Sequence, residues 1–133
     1  RTLSGGEKQR VVIASALAQL DTGAGSDGAR RLLILDEPTA SLDLRYQFEI
    51  GALLRRLHDS SGLAILLSTH DLRFAASLCT RVVLLSSGRI LAQGMPREVL
   101  TPDLVGRLFD VPSELAAPIL AAATTDPGGR FPS

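Results

Sequence analysis

The chain has 133 residues, 45% hydrophobic and 21% charged, a composition able to bury one core and matching one domain or part of one. Fourteen basic residues balance 14 acidic ones, so no net field draws nucleic acid or an anionic membrane surface. With Cys79 as the one cysteine, no intrachain disulfide can form. No run approaches the roughly 18–20 apolar residues that span a bilayer, and no charged-then-apolar leader pattern is read at the start.

Leu3-Ser4-Gly5-Gly6-Glu7 leads through Lys8-Gln9-Arg10 into Val11–Leu20, nearly all apolar, which predicts a helix starting at the glycines and buried on most sides. Such a helix start aims free amides and the positive end of the macrodipole outward, and glycine lets a phosphate approach closely. A plain N-cap at Ser4 with glycines in a turn fits the same residues. Asp21–Arg30, rich in Gly, Ser and Asp, reads as an exposed loop. It is not a phosphate loop, because it lacks a Gly-Lys-Ser/Thr ending and precedes a strand instead of following one.

Leu32-Leu33-Ile34-Leu35-Asp36-Glu37-Pro38 carries the most chemistry. An uninterrupted aliphatic run predicts a buried parallel strand, and ligands of open α/β sheets bind beyond the carboxyl ends of such strands. Asp36 and Glu37 there can divide the work: one acid can hold a magnesium ion, usually through water, while the other orients or deprotonates an attacking water. Taken alone, the same pair could simply end a strand. Asp43 then precedes a helix predicted over Leu44–Leu57, with Tyr46, Ile50, Leu53, Leu54 and Leu57 on its apolar stripe, and is a candidate N-cap.

Leu63–Leu67 predicts a second parallel strand, which brings His70 out at the same sheet edge as Asp36 and Glu37. His58 has the plainer reading of a structural or surface histidine. Asp71 is expected to cap a helix over Leu72–Cys79, where Cys79 packs as a small hydrophobe. Arg81–Leu85, Ser86-Ser87-Gly88 and Arg89–Gln93 form a hairpin signal, followed by short helices near Arg97–Leu100 and Pro102–Phe109. After Pro112 the composition turns to Ala, Pro, Gly and Thr, which predicts one marginal helix and then a frayed, disordered tail.

Four of these pieces, in this order, resemble the ATP-binding cassette (ABC) family of ATPases over about residues 1–111. Leu3–Glu7 is similar to the family's signature motif, Leu32–Glu37 to its Walker B strand, Ser41–Asp43 to its D-loop and His70 to its switch histidine. The resemblance implies an α/β fold, a parallel-sheet P-loop NTPase core, with ATP and Mg2+ as cofactors. It implies that Ser4, Gly5 and Gly6 touch the γ-phosphate of an opposing subunit, that Asp43 lies at the subunit boundary, and that His70 hydrogen-bonds the γ-phosphate. Glu7 stands where the family often has Gln. No Gly-x-x-x-x-Gly-Lys-Ser/Thr occurs in the sequence, and it starts inside a motif at Arg1.

The expectation is therefore the C-terminal part of an ABC ATPase domain over residues 1–111, lacking the phosphate-loop half, with residues 112–133 as a tail. By resemblance the intact protein is the ATP-hydrolysing subunit of an importer, most like those for ferric siderophores, haem or cobalamin. It would be a homodimer at the cytoplasmic face of the inner membrane, working with permease subunits and, indirectly, a periplasmic substrate-binding protein, with no nucleic-acid partner. Two alternatives stand beside it: a non-transport ABC ATPase of DNA repair or translation, and a non-catalytic truncated or split partner. The fragment alone is expected to be inactive.

Overall fold

The computed structural model describes residues 31–40 and 42–124, together with Val11, Ile13, Ala14, Ser15 and Ala18. The signature segment with Ser4, Gly5 and Gly6, the loop at 21–30, Ser41 and everything after Thr124 lie outside the described residues. The five isolated positions are helical, as expected of Val11–Leu20, and Ile13 is fully buried. Val11, Ala14, Ser15 and Ala18 are exposed, so the expectation of burial on most sides does not hold for them. The chain divides into two compact units that part between His70 and Asp71.

In the first unit, strand β1 (Leu32–Asp36), helix α1 (Leu44–Ser61) and strand β2 (Ala64–Ser68) follow in order, and the two strands pair in parallel. This is the expected α/β arrangement with a parallel sheet. Residues pair from Leu32 with Ala64 to Asp36 with Ser68. Side chains alternate between faces, so Leu33, Leu35, Ile65 and Leu67 share one face and Leu32, Ile34, Ala64 and Leu66 the other. On the first face Leu33 and Leu35 are buried, and Ile50 and Leu54 of α1, which packs against β2, are buried in the same unit. The second face stays open, with Ile34 66% and Leu66 58% exposed. The continuous aliphatic run thus predicts cover on both faces, and the described residues supply it on one.

Helix α1 begins where Asp43 accepts the Tyr46 amide at 3.0 Å. It continues to Ser61, beyond the expected Leu57, because no breaker intervenes before Gly62. That glycine takes a left-handed φ of 61° and donates to the His58 carbonyl at 3.0 Å, closing the helix. His58 Nδ1 lies 2.9 Å from the Leu63 carbonyl, which ties the helix end to the start of β2 and bears out its structural reading.

The second unit opens with helix α2 (Leu72–Leu78), whose N-terminus Asp71 caps by accepting the Arg73 and Phe74 amides at 2.9 and 3.0 Å. Strands β3 (Val82–Ser86) and β4 (Arg89–Gly94) pair antiparallel across Ser87-Gly88, both residues left-handed, as a two-residue hairpin turn requires. Three helices follow: α3 (Pro96–Val99), α4 (Pro102–Phe109) and α5 (Ser113–Thr124). Leu84, Val99, Leu100, Val105, Ala116 and Leu120 form the core. Helix α5 packs on α4 and α2 through fully buried Ala116 and through Leu120, so the residues after Pro112 hold an ordered helix despite their sparse large side chains. Cys79 ends α2 half-buried, and that burial pushes its thiol up, leaving little reactive thiolate at neutral pH.

Gly106 of α4 sits where the chain turns back on itself: a Cβ there would lie 2.7 Å from the Val111 carbonyl oxygen, whose own amide donates to the Gly106 carbonyl at 2.9 Å. Backbone cannot give way as a flexible side chain can. Gly106→Ala is expected to destabilise the protein by about 1–3 kcal/mol, read as a lowered midpoint in urea unfolding. An unchanged midpoint would show that this close approach is relaxed in solution.

Candidate active site

The site stands at the C-terminal ends of β1 and β2. Asp36 and Ser68 are register partners on one face, and the Ser68 hydroxyl donates to Asp36 Oδ1. Glu37, one residue on, leaves the strand in the left-handed region with φ 46°. For a residue with a Cβ this costs about 1–2 kcal/mol. Two hydrogen bonds hold it there, both from the Glu37 amide: to the Ser68 carbonyl at 3.1 Å and to the Ser68 hydroxyl oxygen at 3.0 Å. The Glu37 carbonyl accepts the Ala40 amide at 3.1 Å, and buried Pro38 and Thr39 anchor the turn.

The bend carries the Glu37 carboxylate to His70. Nδ1 of the imidazole lies 3.0 Å from both Oε1 and Oε2, a two-pronged contact in which an Nδ1–H donates to the carboxylate. The His70 side chain is 75% exposed and that of Glu37 36%, so water screens the pair and it adds little to stability. Its consequence is orientation: the carboxylate is held by an imidazole while Asp36 is held by a hydroxyl.

Asp36, Glu37 and His70 thus meet at one sheet edge. Asp43 is engaged elsewhere, its carboxylate capping α1, and Ser4, Gly5 and Gly6 lie outside the described residues. Among the described residues no group of three His, Cys, Asp or Glu could cage a metal ion. Asp36 nevertheless fits Mg2+, a hard cation that keeps several waters and takes one or two carboxylates alongside phosphate oxygens. One Asp36 oxygen accepts from Ser68, and the second belongs to an exposed side chain. Sequence reasoning missed Ser68 as a site residue. The available signal was positional, since Asp36 and Ser68 each end a five-residue run with apolar residues in the first four places.

A family profile described as "AAA domain, putative AbiEii toxin, Type IV TA system" matches residues 1–76, more than half of the chain. The cobalamin import ATP-binding protein BtuD of Halobacterium salinarum is 42% identical over 127 residues, covering 95% of this chain and 30% of that protein. The hemin import ATP-binding protein HmuV of Rhodopseudomonas palustris is 44% identical over 110 residues, covering 83% and 41%. The chain belongs to this AAA-domain family and to the ABC ATPases. A solved structure titled "An inward-facing conformation of a putative metal-chelate type ABC transporter" superimposes with a TM-score of 0.71 at 31% identity, over 83% of this ABC ATPase chain and 40% of that one. The chain therefore spans less than half the length of these ABC relatives.

The left-handed Glu37 allows a test of backbone strain in the ABC ATPase fold. Glu37→Gly and Glu37→Ala both remove the carboxylate, yet glycine adopts positive φ without a Cβ penalty. The glycine variant is expected to unfold at higher urea than the alanine variant, by about 1 kcal/mol. Equal midpoints, or a more stable alanine variant, would show that Glu37 is not held in this conformation.

Proposed function

We propose that residues 1–111 are the C-terminal part of the ATPase domain of an ABC importer subunit, with Glu37 as the base for ATP hydrolysis and His70 as its partner. The observation that carries this reading is the His70 Nδ1 contact with both Glu37 oxygens, 3.0 Å each, beside Asp36. An Nδ1–H directed at the carboxylate fixes its orientation, so a Glu37 oxygen can accept a hydrogen bond, and then a proton, from an attacking water. Nε2, on the opposite side of the ring, would donate to a γ-phosphate when the ring carries a proton on both nitrogens. Asp36 would hold Mg2+ through metal-bound water, and the ion, when bound, neutralises charge on the transferred phosphate. Ser4, Gly5 and Gly6 would complete a second subunit's nucleotide, with Asp43 at the dimer boundary.

The names of the relatives support an import role with cobalamin or haem, and by resemblance a ferric siderophore, as cargo. Among the described residues no helix is long and apolar enough to cross a membrane, which suits a peripheral subunit on the cytoplasmic face of the inner membrane. Its partners would be a second ATPase subunit, permease subunits and, indirectly, a substrate-binding protein. The open face carrying Ile34 and Leu66 suits further sheet or helix cover from the rest of a longer polypeptide.

In the full-length protein Glu37→Gln is expected to retain ATP binding while turnover falls by about 100-fold or more, measured as phosphate release beside an ATP-binding titration. Residues 1–133 by themselves, with no phosphate-loop sequence, are expected to release none. Unchanged turnover in the variant would remove Glu37 from the chemistry.

A further inference from the structure

Ser68 hydrogen-bonds to both acids. Its hydroxyl donates to Asp36 Oδ1 while its oxygen accepts the Glu37 amide at 3.0 Å, and its carbonyl accepts that amide again at 3.1 Å. A hydroxyl has one proton and two lone pairs, so this use as donor to one residue and acceptor from the next is within its capacity. The parallel register creates the opportunity, because Asp36 and Ser68 are partners on the same face. We infer that Ser68 is a positioning residue for the reaction proposed above: it fixes the rotation of the Asp36 carboxylate for a hydrated divalent cation and steadies the left-handed Glu37 turn.

The two functions separate on substitution. Without the hydroxyl, the Glu37 amide keeps the Ser68 carbonyl, so the turn survives, weakened. Asp36 loses its Ser68 donor, and its carboxylate becomes able to rotate between orientations, of which some face away from the cation. Hydrogen bonds to ionised carboxylates are among the stronger ones in proteins, so the effect falls first on cation-dependent binding. A Thr keeps the hydroxyl; a Val has nearly the shape of Thr without it. The pair therefore isolates the hydrogen bond from strand packing.

The inference rests on the assignment of Asp36 and Glu37 under the proposed function, and the test keeps the two apart. In the full-length protein bearing Glu37→Gln, which stops turnover, the ATP dissociation constant is measured with and without Mg2+. Adding Ser68→Ala or Ser68→Val is expected to shrink the Mg2+-dependent gain in affinity by about tenfold, while Ser68→Thr restores it to within about threefold. The Glu37 amide proton resonance, measured with Glu37 intact, should move upfield in Ser68→Ala and stay in place in Ser68→Thr. If Ser68→Ala lowers the melting temperature too far for binding work, the Thr and Val variants decide: a difference between them supports the role, and equal behaviour overturns it. A full Mg2+ gain in Ser68→Ala also overturns it, while leaving Glu37 as base if Glu37→Gln has abolished turnover. Turnover that persists in Glu37→Gln instead defeats the proposed function itself.

Discussion

Parallel pairing that sets Asp36 beside Ser68 is the constraint on which the site depends. Parity places Asp36 and Ser68 on one face, which is why a hydroxyl reaches a carboxylate. A shift of one residue would send Ser68 to the opposite face and remove both its side-chain contacts. The same pairing brings the residues beyond the strands, Glu37 and His70, to a common edge. Cross-strand hydrogen bonds from the Glu37 amide to Ser68 then extend the sheet by one irregular step, and this step turns the carboxylate to the imidazole.

A left-handed glutamate is a poor choice for stability alone. Gly or Asn would adopt the same backbone at lower cost. The strain is tolerated because Pro38 and Thr39 are buried and two hydrogen bonds tie the Glu37 amide to Ser68. The exposed contact between His70 and Glu37 contributes little against that cost. Strained backbone held by buried neighbours clusters at ligand-handling sites, which supports the proposed reading of this edge.

Much of this was legible in the residues. The two aliphatic runs gave β1 and β2, the acids at the end of the first and the histidine beyond the second marked the working edge, and Asp43 and Asp71 marked the starts of two helices. Three matters were not legible. The φ of Glu37 arises from tertiary hydrogen bonds to a strand more than 30 positions away, and no local composition records it. The use of Ser68 depended on register, which the apolar runs alone leave open by one residue. Burial of both strand faces was expected from aliphatic continuity, yet the described residues cover one face, because continuity reflects the whole environment of a sheet and not one pair of strands. Helix α5 illustrates the converse, for a segment poor in large side chains still orders when alanine allows close approach to a neighbouring helix.

The most direct measurement is a high-resolution crystal structure of the full-length protein with Mg2+ and a non-hydrolysable ATP analogue. The expected result has Asp36 in the coordination shell of the ion, directly or through water, with the Glu37 carboxylate and the His70 ring both facing the terminal phosphate. A structure in which the strands pair in another register, or in which either acid or the imidazole faces away from that phosphate, would contradict the assignment of this edge as the hydrolytic site.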